Sequence, residues 1–150
     1  MANIFEPEWD AERDERPYRW RRARLGRQAG MRELGASLFE LAPGGASFPL
    51  HAHLNNEEAI VVLAGRPTLR TPAQERELQT GEVVACPAGV DGAHRLDNRT
   101  EEPVRVLIVS TMRAPDVNVF PDESTYWVRT YVPGTEPGPD DLDVRLRPAD

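Results

Sequence analysis

The sequence of 150 residues contains no lysine; all 18 of its basic residues are arginine. That absence removes a block of chemistry. A Schiff-base lysine, a Walker lysine and a Ser-Lys dyad are impossible, so pyridoxal-phosphate and P-loop nucleotide enzymes drop out. Cysteine is nearly absent too. Cys86 stands alone, which excludes an internal disulfide and a cysteine-rich zinc site. No apolar run approaches the roughly 18–20 residues of a membrane helix, and mean hydropathy is -0.55. The first 17 residues are acidic and lack an apolar segment of the secretory kind, so a cytoplasmic location is expected. Basic charge is also in deficit: 18 basic against 25 acidic residues gives a net charge of -7. Such a chain is a poor partner for nucleic acid, whose affinity comes mainly from phosphate neutralisation. Neither nucleic acid nor membrane is expected as a partner.

The chain is expected to divide into an N-terminal extension with a first strand (1–33), a core (34–114), and C-terminal strands with a Pro/Asp-rich tail (115–150). Residues 1–17 carry six acids and two arginines, and a short helix is expected near Pro7 to Asp14. Residues 18–32 carry six arginines and no acid. They read as an edge segment whose arginines pair with the acidic N-terminus or the acidic tail, rather than as a nucleic-acid patch. Residues 133–150 read as loop, with one weak alternating stretch, Leu142-Asp-Val-Arg-Leu146.

Between about Leu34 and Val132 the chain reads as strand after strand. Ser37–Leu41, Ala59–Ala64, Thr68–Thr71, Arg76–Leu78, Glu82–Cys86, Val104–Val109 and Thr125–Val132 are apolar or β-branched and bounded by Gly, Pro or Asn. Turn signals at such short intervals mark an all-β sandwich or barrel. Cys86, just before Pro87, reads as a small core hydrophobe. The tryptophans Trp9, Trp20 and Trp127 read as packing or interface residues.

All three histidines fall in the core. His51-Ala-His53 places two imidazoles on one face of a strand. If Asn55-Asn56 turns the chain, the strand beginning at Glu58 runs antiparallel to them and sets its carboxylate opposite. His94 supplies a third imidazole. By parity Glu57 points the other way, to solvent. A set of three imidazoles and one carboxylate suits one divalent ion, Fe, Mn, Co, Ni, Cu or Zn.

These residues resemble the motifs of the cupins. The first cupin motif is matched in full by Gly45-x5-His51-x-His53-x4-Glu58-x6-Gly65. The second is matched by Gly81-x5-Pro87-x-Gly89-x4-His94-x3-Asn98, except that four residues rather than two separate Gly89 from His94. The stretch from Leu25 to Gly44 is similar to small bacterial cupins as well. The resemblance implies an antiparallel jelly-roll barrel, the double-stranded β-helix, with His51, His53, Glu58 and His94 as metal ligands and Asn98 as a structural residue. Single-domain cupins commonly pair, so a homodimer is expected, with 1–33 and 115–150 as candidate interface.

Parity assigns Phe48, Ile60, Val62, Leu96 and Ile108 to the pocket lining, with Ile60 and Val62 just beneath the metal. Asp91 reads as a turn residue. The preferred function is a metal-dependent enzyme acting on a small organic molecule, as a dioxygenase or an isomerase, with Glu58 as candidate base. The alternative is a non-catalytic barrel that binds a sugar, an organic acid or a small aromatic.

Overall fold

A computed structural model describes residues 1–148; the last two residues of the tail, 149 and 150, lie outside it. The strands are β1 (Ala11–Glu15), β2 (Tyr18–Ala23), β3 (Leu34–Leu41), β4 (Ala52–His53), β5 (Glu58–Ala64), β6 (Thr68–Arg70), β7 (Glu75–Glu77), β8 (Val83–Cys86), β9 (Arg95–Asp97), β10 (Val104–Thr111), β11 (Asp116–Phe120), β12 (Thr125–Arg129) and β13 (Asp143–Leu146). One short helix, α1 (Leu25–Gln28), joins β2 to β3. Among the described residues no helix is long and apolar enough to cross a membrane.

The strands form three sheets, ordered β1-β2-β3-β10-β5-β8, β13-β12-β11-β4 and β7-β6-β9, with every named pair antiparallel. This is the expected all-β jelly-roll barrel.

The near-continuous apolar runs of β5 and β10 have a physical cause. Their sheet is covered on both sides, so both parities must be apolar. Inside the barrel, Phe39, Leu41, Ile60, Val62, Leu69, Leu96, Val104 and Val106 form the main core. On the outer face, Leu38, Leu63 and Leu107 pack under Ile4, Trp9, Ala23 and Leu25 of the N-terminal segment. Trp20 closes the inner layer edge-on against Phe39, with ring centroids 5.6 Å apart.

Two local expectations are corrected. The acidic N-terminus forms β1 over Ala11–Glu15, where a helix near Pro7–Asp14 was expected. Its charges alternate against the arginines of β2. Asp14 lies opposite Arg19, which donates to it at 2.7 Å, and Asp10 takes Arg24 at 3.0 Å. Facing opposite charges support a strand pair, and no apolar helical stripe competes. The arginine-rich stretch is therefore an edge-region strand paired with the acidic N-terminus. In the tail, the alternating stretch forms β13 and pairs with β12.

Candidate metal centre

Each functional side chain is placed by a different piece of backbone. His51 and His94 face each other in an isolated antiparallel bridge, His51 N–H donating to His94 O at 3.2 Å and His94 N–H to His51 O at 2.9 Å. Their rings lie 4.9 Å apart, and the His51 and His53 rings 5.2 Å apart. The loop lengthened by two residues before His94 folds into a single 3-10 turn, Val90–Gly92, which includes Asp91. Gly92 is required there by proximity: a Cβ would stand 1.9 Å from the Pro87 carbonyl oxygen.

The expected hairpin between the histidine strand and the glutamate strand does not form. β4 pairs with β11, His53 opposite Asn118, while β5 pairs with β10 and β8. Glu58 therefore meets the histidines across the barrel. The reason lies in Asn56, which does not simply turn the chain. Its buried amide is bound by Arg113 N–H at 2.7 Å and Thr111 Oγ1 at 3.0 Å, and donates to Arg113 O at 3.0 Å. These bonds tie the start of β5 to the end of β10. Glu57 is exposed.

Ligand atoms of His51, His53 and Glu58 all lie within 4.8 Å of one another. His94 Nε2 joins through Glu58 Oε2 at 3.1 Å, and His53 Nε2 lies 3.7 Å from the same oxygen. The donor chemistry fits a divalent metal. Each histidine has its outer nitrogen engaged: His51 Nδ1–H with Pro49 O at 2.9 Å, His94 Nδ1–H with Gly92 O at 2.9 Å, and His53 Nδ1–H with Asp116 Oδ2 at 2.6 Å. Such bonds fix the tautomer and direct Nε2 inward, the usual arrangement behind metal-binding imidazoles.

Electrostatics point the same way. Burial, then repulsion from His94 and His53, pushes His51 down to about 4, so it is neutral near pH 7. Burial works against charge on Glu58, but His94 and the other two histidines pull it down to about 2, so it is a carboxylate. Burial also opposes protonation of His94, yet Cys86 and Glu58 beside it hold its pKa above the ordinary imidazole value. In the absence of a cation, a proton on His94 balances the Glu58 charge.

The group opens into a cavity of about 630 Å³ between the large sheet and the β11–β13 sheet. Phe48, Leu96 and Ile108 line it, as parity assigns. Ile60 and Val62 do not. They are 0% and 1% exposed in the packed core, because side chains fill the barrel interior below the histidines. Cys86 is buried in that core beside His94. Asn98 is structural, donating to Leu41 O at 3.0 Å and Glu102 O at 2.8 Å.

Several site residues escaped the sequence reading. Asp116 (fully buried side chain) holds His53 and also accepts the Asn55 N–H at 3.2 Å. Asn118, Phe120, Trp127, Arg129 and Arg145 form one cavity wall, with Arg13 and Arg22 also contributing to the lining. The signal was present in Asp116-Val-Asn-Val-Phe120, whose alternation sends the Asp, Asn and Phe inward.

Fold and site together define a small antiparallel barrel with a histidine–carboxylate centre. The cupin-domain family model matches residues 37–110. That stretch of the chain, just under half of it, is a cupin domain. Among solved structures it resembles a sugar phosphate isomerase of the cupin superfamily from Silicibacter pomeroyi. They share 28% identity, with 73% of this chain and 70% of that one covered at a TM-score of 0.71. A protein provisionally assigned as a sugar phosphate isomerase, from Acidithiobacillus ferrooxidans, shares 25% identity over 82% and 78% at 0.73. The polyketide cyclase RemF from Streptomyces resistomycificus shares 25% over 80% and 84% at 0.63. No curated protein matches the chain.

Proposed function

We propose that this protein is a metal-dependent enzyme that isomerises a small oxygenated molecule by proton transfer inside the barrel. The observation that carries the reading is the set of three histidines, each with Nδ1 tied to an outward acceptor, converging with Glu58 at one end of the cavity. His51, His53, Glu58 and His94 would hold one divalent ion, of which Fe, Mn, Co, Ni, Cu and Zn all suit the donor set. When bound, that ion supplies Lewis-acid polarisation of a carbonyl or hydroxyl oxygen.

The chain's own residues do the rest. Both short histidine contacts of Glu58 fall on Oε2. Oε1 accepts no hydrogen bond from the described residues and is the oxygen available to take a proton. Phe48, Leu96 and Ile108 present an apolar wall that excludes water from the substrate carbon. Asn118, with its amide nitrogen 3.2 Å from the His53 ring nitrogens, offers a polar group on the opposite wall. The likeness to two proteins described as sugar phosphate isomerases supports isomerase over dioxygenase chemistry.

The test is twofold. Plasma mass spectrometry of protein purified without added metal is expected to find close to one transition metal per chain. Proton NMR in deuterium oxide is then expected to show exchange of the hydrogen beside the carbonyl of a ketose or aldose phosphate. Oxygen consumption with an enolic substrate, and no such exchange, would instead establish the dioxygenase reading. No metal after soaking, and no turnover, would leave a ligand-binding barrel.

A further inference from the structure

The cavity carries charge opposite to that of the chain. The protein is acidic overall, yet Arg13, Arg22, Arg129 and Arg145 line the cavity against only Glu58 and Glu123. Three of these arginines have a carboxylate at hand. Arg13 lies 3.2 Å from Glu15, Arg22 3.7 Å from Asp10, and Arg129 3.7 Å from Asp116. Arg145 differs. Among the described residues it has no ion-pair partner, although it sits beside the metal centre's aromatic wall.

Its place is set by ring faces. The Arg145 guanidinium carbon lies 5.2 Å from the Phe120 ring centroid and 5.0 Å from that of Trp127. Phe120 in turn stacks on His51, centroids 6.0 Å apart and planes 25° from parallel. One aromatic ring therefore separates this cation from a histidine of the centre. Trp127 is pinned by its Nε1–H, which donates to Asp143, and its ring also carries Arg129 at 4.3 Å. Arg129 donates through Nη2 to Asn118 Oδ1 at 2.6 Å and keeps a buried Nε with no partner. Both guanidinium groups pack on one indole, and the nearby Asp143 carboxylate, electrostatically coupled to each, forms an ion pair with neither. Arginine's planar fork, stacked on an aromatic face, suits bidentate capture of an oxyanion.

We propose that Arg145, backed by Arg129, is the oxyanion subsite of the cavity, and that the substrate is a small oxygenated molecule bearing a phosphate monoester or carboxylate at the end remote from the histidines. The proposal rests on the cavity being the substrate site, and not on the metal. A cavity of about 630 Å³ is in the range of small-molecule sites. Every residue of the subsite lies beyond residue 110, where the cupin-domain match ends.

The test uses full-length protein stripped of metal with a chelator, so that a probe cannot bind through the ion. Inorganic phosphate, ribose 5-phosphate, ribonate and ribose are titrated by calorimetry into the wild type, Arg145→Gln and Arg145→Lys. Arg145 is exposed, so these variants keep the fold, which circular dichroism checks. The expected result is saturable binding of an anionic probe and at least about tenfold weaker binding of ribose. The glutamine variant is expected to lose about tenfold or more, and the lysine variant less, as loss of a charge-assisted hydrogen bond implies. Binding of ribose 5-phosphate but not ribonate names phosphate as the group; the reverse names carboxylate. Equal binding by wild type and Arg145→Gln, or no anion binding at all, overturns the proposal. Metal content is measured in parallel on untreated protein. Anion binding lost in Arg145→Gln with no metal in the wild type would sink the metal reading alone. Metal present with no anion effect would sink the subsite alone.

Discussion

His51, His53 and Asp116 show how much of the site rests on single atoms. Replacing both histidines with alanine is expected to bring metal content to near zero while circular dichroism still reports a folded barrel. Stoichiometric metal in that variant would move the site elsewhere. Asp116 acts one step further out, holding His53 Nδ1–H with a buried carboxylate. Asp116→Asn is expected to weaken metal binding by about 10–100-fold, read by competition with a coloured chelator. Unchanged affinity would make the aspartate merely structural. The low pKa of His51 has a consequence for stability. In the unfolded chain the imidazole sits at 6.5, in the fold at about 4. Between these values the unfolded state is protonated and the folded state is not, so stability is present above pH 6.5 and falls toward pH 4. His94, shifted upward, works the other way where its unfolded form loses its proton, so it adds stability from pH 7 down to about 6 and little slope below that. Metal-free protein is therefore expected to lose up to about 3 kcal/mol in urea titrations between pH 7 and 4. His51→Gln is expected to remove that His51 contribution. Equal stability at pH 7 and pH 4 for the wild type would contradict the account.

At the scale of elements, the strands that were legible are short runs closed off by turn residues, the three-residue β6 and β7 among them. β5, β8 and β10 are apolar and bounded by Gly, Pro or Asn. β4, of two residues, was legible only through its His-Ala-His spacing, and β11 was missed although it alternates over five residues, because its inward face carries Asp116 and Asn118 rather than apolar side chains. β1 was illegible for another reason: Ala-Glu-Arg-Asp-Glu has no apolar alternation and becomes a strand only against the arginines of β2. The 3-10 turn before His94 is equally a matter of packing. Gly92→Ala would drive a Cβ into the Pro87 carbonyl oxygen. It is expected to cost about 1–3 kcal/mol, as overpacking does, and to weaken metal binding by displacing His94. A variant with wild-type urea midpoint and metal affinity would show that the turn can give way. Ile60, in the core beneath the cavity rather than on its wall, is expected to cost about 2–5 kcal/mol when cut to alanine.

The whole molecule is a barrel wrapped by its own flanks. The N-terminal segment covers one face of the large sheet, and β11 to β13 wall the cavity. The homodimer expected from the family is proposed to depend on these flanks. Light scattering is expected to give a dimer mass that falls when residues 133–150 are removed. An unchanged mass would rule out the tail.

The barrel followed from the resemblance to the cupins, while residue types and spacings were sufficient for the β class and for the identity of three histidines and one glutamate. Those depend on local alternation, on turn residues and on side-chain chemistry, all of which are written along the chain. Tertiary structure alone decided that Glu58 meets the histidines across the barrel, that Asp116 stands behind His53, and that Arg145 reaches the cavity. Contacts such as His94 with Glu58, 36 residues apart, and Asp116 with His53, 63 apart, carry no local signature, because they exist only once the sheets have closed on one another.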